Sequence, residues 1–180
     1  TSILIGDYLF SKALSVIIDL KDFHSIEILS KTANKLSRGE ILQIEKSRKR
    51  YMSKDIYFKM IEDKTAALFM ASCELAARTA TKNNEIILEC KEFGRNFGMA
   101  YQIKDDIDDI LGSCDELGKP TNLDLKKNIM TLPYIYCLES MKERERRRFI
   151  IQLKSLSKRN KISEIKDMID SYGGLEKSKK

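Results

Sequence analysis

The run Gly98-Met-Ala-Tyr-Gln-Ile-Lys-Asp-Asp-Ile-Asp-Asp-Ile-Leu-Gly112 places four carboxylates, Asp105, Asp106, Asp108 and Asp109, within five residues. At about 100° per helical residue they fall within roughly 160° of one another. Ile103, Ile107, Ile110 and Leu111 then gather on the opposite side, so the run predicts a helix with an apolar back and an acidic front. Like charges four apart, as at Asp105 and Asp109, destabilise a helix by about 0.2–0.5 kcal/mol, and Asp is a middling helix former. The spacing leaves two readings open. The front is a solvated charged face, or a divalent cation offsets its repulsion. Oxygen donors with no Cys or His in the run suit a hard ion such as Mg²⁺, which keeps several waters and is shared with phosphate oxygens.

Outward from this run the chain reads as all-α. Its 180 residues suffice for one domain with a real core. Eight Gly and two Pro are few breakers for that length. Helices are expected over 2–19, 25–46, 54–80, from Asn83–Asn84 through Phe93, Phe97 and Tyr101 into the acids, and over 129–140, 143–157 and 161–171. The first is read as entered through Gly6-Asp7, with Asp7 as a cap and Leu9, Ala13, Val16 and Ile17 as its apolar face. Asp22 or Ser25 and the stretch Ser53 to Asp55 are further caps, and His24, the single histidine, is read as a loop residue. Residues 113–127 form the long loop, and long loops in compact domains tend to be functional. Gly94 and Gly98 suit close helix contact, room for a chain, or simple core packing.

The net charge of +6 is uneven. Residues 141–180 carry thirteen Lys and Arg against six acids, +7, which leaves −1 for residues 1–140. The basic end reads as an exposed helix with an ion pair between Glu143 and Arg147. It lacks the interleaved aromatics of a stacking platform, so no nucleic-acid partner is expected. Cys73, Cys90, Cys114 and Cys137 have no metal or redox spacing and suit a reducing, cytoplasmic setting. No run reaches the eighteen or so apolar residues of a membrane span.

Several strings around the acids carry a resemblance. Tyr101-Gln102 precedes Asp105-Asp106-x-x-Asp109; Gly118-Lys119-Pro120, Asp124 and Thr131-Leu132-Pro133 follow. Upstream stand Gly6-Asp-Tyr-Leu-Phe10, Arg38-Gly39-Glu40 with Gln43, and Lys64-Thr65-Ala66, and downstream Gly173-Gly-Leu-Glu176. In this order they resemble the trans-polyprenyl diphosphate synthases, with a lean toward the hexa- and heptaprenyl members. Asp108 departs from the pattern, as do Asn122, Asn128 and Ile129. The first aspartate-rich motif of that family is not reached.

The resemblance implies an isoprenoid synthase-type helical bundle around a central apolar cavity, here incomplete. Residues 1–180 would be a single prenyl synthase domain truncated at both ends and inactive alone. The implied reaction is Mg²⁺-dependent condensation of isopentenyl diphosphate with an allylic diphosphate, releasing diphosphate. Asp105, Asp106 and Asp109 would hold the metal. Lys64, Thr65, Gln102 and Lys119 would bind diphosphate. Asp105, Asp106 and Lys64 would be catalytic. The assembly would be a homodimer, or a heterodimer with a small subunit, and the product membrane-associated. Alternatives are a non-catalytic helical partner subunit and a class I terpene cyclase.

Overall fold

The computed structural model describes residues 1–49, 52–111, 123–139, 141–159 and 161–180, with helices and no strand among them. In chain order the helices are α1 (Ser2–Asp19), α2 (Phe23–Lys49), α3 (Lys54–Ile61), a π turn (Glu62–Ala66), α4 (Ala67–Ala80) and α5 (Asn84–Leu111). Then come α6 (Leu123–Lys126), α7 (Leu132–Glu139), α8 (Glu143–Lys158), α9 (Ile162–Ser171) and α10 (Gly174–Lys179).

Three caps stand where short polar side chains fall before apolar runs. Asp22 Oδ1 accepts from the Ser25 N–H at 3.1 Å, Ser53 Oγ from Ile56 at 3.4 Å, and Asn83 Oδ1 from Glu85 at 2.9 Å. Two local expectations are corrected. Asp7 lies inside α1 rather than capping it, because the helix has already begun at Ser2. His24 sits in the first turn of α2, since the break is only as long as the cap at Asp22 requires. A four-residue helix, α6, occupies the end of the expected loop.

The core lies toward the C-terminal side. Tyr57, Met60 and Ile61 of α3 pack with Ile107 and Ile110 of α5, Leu132, Tyr134, Ile135 and Cys137 of α7, and Leu153, Ile165 and Ile169 behind them. Burial pushes the Cys137 thiol up to about 12, so it is a small hydrophobe there. On the other side α4 runs along α5, and α2 crosses the π turn and α4. The α4–α5 contact is close because a Cβ at Gly94 would lie 2.6 Å from the Phe69 carbonyl oxygen, and one at Gly98 2.6 Å from Ala66 Cα.

The apolar faces of α1 and of the α4–α5 pair stay open among the described residues. No residue of α1 is buried, and Leu9 and Val16, expected on its core face, are exposed. Leu68, Phe93, Phe97 and Tyr101 are exposed as well. Among the described residues no helix is long and apolar enough to cross a membrane.

Candidate active site

Residues 54–80 do not form one α-helix. A π turn interrupts them at Glu62–Ala66, on the very residues Lys64 and Thr65. The wider turn inserts one extra residue and re-aims the side chains that follow. Three long-range contacts hold it. Arg38 of α2 grips the buried Asp63 with two bonds, 2.8 and 2.9 Å. Arg95 of α5 grips Glu62 with two more, 3.0 and 2.8 Å. The backbone of α2 presses on the turn at Gly39, where a Cβ would lie 2.5 Å from the Lys64 nitrogen. So Arg38-Gly39 braces the turn that carries Lys64.

Lys64 is held in place by the next residues of the same string. Its Nζ donates to Gln43 Oε1 at 2.7 Å and lies 3.2 Å from Glu40 Oε2. Glu40 and Gln43 thus share one face of α2 and converge on the π turn. Lys119, the other lysine expected here, lies outside the described residues, as do Gly112, Cys114, Gly118, Pro120 and Asn122.

The acids of α5 do not form one solvated front. Asp106 and Asp109 are 3% and 8% exposed, because the end of α5 is covered from two sides. Asp109 accepts from the backbone N–H groups of Leu123 at 3.1 Å and Asp124 at 3.3 Å, anchoring the start of α6. Asp108 pairs with Lys104 one turn back. Asp105 is half-buried and close enough to Asp106 and Asp124 to repel both.

Asp124 completes the cluster. Burial pushes its carboxyl up to about 6, helped by repulsion from Asp109 and Asp105 and opposed by Lys64 and Lys127. Asp105, Asp109 and Asp124 therefore share a field with Lys64 of the π turn. In sequence Asp124 stands between two motifs with nothing local to give it a role. Its place follows from α6 folding back onto Asp109.

Asp106 is the hub of a buried relay. Its Oδ2 accepts from the Tyr57 hydroxyl at 2.6 Å and its Oδ1 from Gln102 Nε2 at 2.9 Å. Gln102 Oε1 in turn accepts from the Thr65 hydroxyl. Burial drives the Tyr57 hydroxyl far above its ordinary pKa, so it stays a donor. Burial pushes Asp106 up to about 7, and the Tyr57 and Gln102 bonds pull the other way. The bond directions fix a polarity. Thr65 spends its proton on Gln102 and presents lone pairs to its other neighbours, while Gln102 keeps one N–H uncommitted within the relay. Tyr57 was not singled out in sequence. It stands seven residues before Lys64, two helical turns, but nothing local signals that its hydroxyl meets a carboxylate 49 positions away.

These donors suit a hard cation better than any other. Among the described residues no group of three or more His, Cys, Asp or Glu is placed to hold a metal ion by itself. The donors that approach one another are carboxylate oxygens, and their mutual repulsion is visible in Asp124. That chemistry fits an ion held by one or two carboxylates and completed by diphosphate oxygens and water.

The model of the family described as polyprenyl synthetase matches residues 1–171. The chain is 38% identical over 133 residues to a Geobacillus stearothermophilus protein named heptaprenyl diphosphate synthase component 2, covering 74% of this chain and 42% of that protein. A geranylgeranyl pyrophosphate synthetase structure from Pyrococcus horikoshii superposes with a TM-score of 0.81 at 31% identity, over 96% of this chain and 54% of that one. A polyprenyl synthase from Caulobacter crescentus, solved with calcium and isoprenyl diphosphate, gives 0.86 at 27% identity, over 98% and 54%. The chain thus spans about half the length of these relatives. The isoprenoid synthase fold, the ordered strings and the match along nearly all 180 residues agree: the chain belongs to the polyprenyl synthetase family.

Proposed function

We propose that this chain supplies the second-aspartate side of a prenyltransferase site that condenses isopentenyl diphosphate with an allylic diphosphate and releases diphosphate. The observation that carries this reading is the shared field of Lys64, held by Glu40 and Gln43, and the acids Asp105, Asp109 and Asp124 on α5 and α6. A cation-and-anion arrangement of that kind suits a diphosphate bridged to metal. Asp105, Asp106 and Asp109 would hold Mg²⁺, the last two through oxygens that also accept from protein donors. Bound Mg²⁺ would supply Lewis-acid stabilisation of the leaving group's charge.

The chain's own residues do the rest. Lys64 donates charge-assisted hydrogen bonds to diphosphate oxygens, as Lys119 would. The uncommitted Gln102 N–H adds a neutral donor. Thr65 turns lone pairs toward the electron-poor allylic carbon that develops as the carbon–oxygen bond breaks. Leu68 and Phe69, one turn along from Thr65, and Tyr101, next to Gln102, offer an apolar bed for the hydrocarbon and help keep water away.

The relative named component 2 supports an assembly of more than one subunit, either two copies or a copy with a small partner. A cytoplasmic enzyme whose product partitions to membrane fits this chemistry. The test is incubation of the full-length protein with radiolabelled isopentenyl diphosphate, an allylic diphosphate and Mg²⁺. Elongated prenyl diphosphate is expected, with turnover falling on the order of a hundredfold or more in Asp105→Ala and Lys64→Ala. Undiminished turnover in Asp105→Ala would refute the assignment.

A further inference from the structure

Tyr57 is 0% exposed, and its ring meets Phe58 edge-on at 5.6 Å. A phenylalanine would fill the same space, so packing does not explain the hydroxyl. The hydroxyl ends on Asp106 Oδ2, and Gln102 Nε2 ends on Oδ1. Donors on two helices, α3 and α5, thus fix the rotation of the carboxylate. Gln102 accordingly aims its NH₂ at Asp106 and its carbonyl oxygen at Thr65. The orientation of the Thr65 hydroxyl follows.

We infer that Tyr57 is a positioning residue: by pinning Asp106 it sets the amide orientation of Gln102 and, through it, the direction in which Thr65 presents its hydroxyl oxygen. The inference rests on the prenyltransferase reading, although Tyr57 itself touches no substrate. Without its hydroxyl one carboxylate oxygen loses its donor, the carboxylate is free to rotate, and the amide is no longer held to one flip state. Groups that must meet a developing charge at fixed distance then spend part of their time misaligned. Lys64 on the π turn, the charged donor to the diphosphates, stays in place, and only the neutral Gln102 donor is disturbed.

In the full-length protein assayed with isopentenyl diphosphate, an allylic diphosphate and Mg²⁺, Tyr57→Phe should lower kcat by about ten- to a hundredfold. KM for both diphosphates should change much less than kcat, because the charged Lys64 contact remains and the loss falls mainly on the transition state. Tyr134→Phe removes the same atom from an equally buried tyrosine whose hydroxyl has no partner among the described residues, and both constants should hold. A crystal structure of Tyr57→Phe should show Gln102 detached from Asp106 or flipped.

A kcat within about twofold of the unaltered protein, or Gln102 unmoved in that crystal structure, would overturn the inference. If the unaltered protein makes no product, the prenyltransferase reading falls by itself and the crystal structure still reports on the relay. Should Tyr57→Phe not fold, the comparison moves to Asp106→Asn with and without it, since removing both partners spares the unpaired charge. There the second change should cost less than about twofold in kcat; a further loss of about tenfold would refute the positioning role.

Discussion

Asp106 makes the stability of the metal-free protein depend on pH in an unusual direction. At 3% exposure its charged form is disfavoured, and burial lifts it from 3.8 to about 7 despite the Tyr57 and Gln102 donors. The unfolded chain has no such burial, so its Asp106 titrates near the ordinary value. Between the two values the folded state holds a proton that the unfolded state has released. The stabilisation is complete below about pH 4 and is lost as pH rises through 7. The interval is roughly three pH units, and at 1.36 kcal/mol per unit the ceiling is about 4 kcal/mol. About two of those units lie above pH 5, so roughly 2.7 kcal/mol is lost from pH 5 to pH 8; for a chain of this size about 1 kcal/mol moves Tm by roughly 2–4 °C, a fall of about 5–11 °C.

Asp124, raised to about 6, acts in the same direction. Glu74 does not interfere in that window. Burial would raise it, but Lys91 and Arg78 hold it below its ordinary range. The assay is thermal melting by circular dichroism in chelator-treated buffer at half-unit steps. Tm should fall across the window in the unaltered protein and fall much less in Asp106→Asn, which keeps only the Asp124 share. A flat or rising Tm, or an Asp106→Asn profile parallel to the original, would refute the burial argument.

Gly39→Ala should damage the π turn, since its Cβ would stand 2.5 Å from the Lys64 nitrogen and backbone must move. A loss of about 1–3 kcal/mol in urea unfolding is expected, together with reduced turnover. Arg38→Ala leaves Asp63 buried without its two bonds. It should lower the urea midpoint, and Arg38→Lys should recover only part of the loss, because an ammonium cannot reproduce the fork. Lys64→Met keeps most of the side chain's bulk and removes its charge. It should raise KM for the allylic diphosphate about tenfold or more while Tm changes little, since the lysine's partners Glu40 and Gln43 stay hydrated; an unchanged KM would argue against Lys64 as a diphosphate ligand.

Features legible in the sequence are those with a local cause. Asp22 and Ser53 cap because the polar atom and the orphan N–H are three residues apart, and helical period alone put Asp105, Asp106 and Asp109 together. The π turn had no such signature. Read by itself, 54–80 is one helix; what widens it at Glu62–Ala66 is Gly39, Arg38 and Arg95, brought in from other helices. Period also said nothing of which acids would be covered. Burial of α5 from the α3 side at Asp106 and from the α6 side at Asp109 divides four similar residues into different roles. One becomes the hub of a relay, one a helix anchor, and one, Asp108, an ion pair with Lys104. Asp105, half-buried, joins Asp109 in repelling Asp124 beside the field of Lys64. Asp106 and Asp109 therefore fix the end of α5 against α3 and against the start of α6, so the acids proposed as ligands also build the frame around the site.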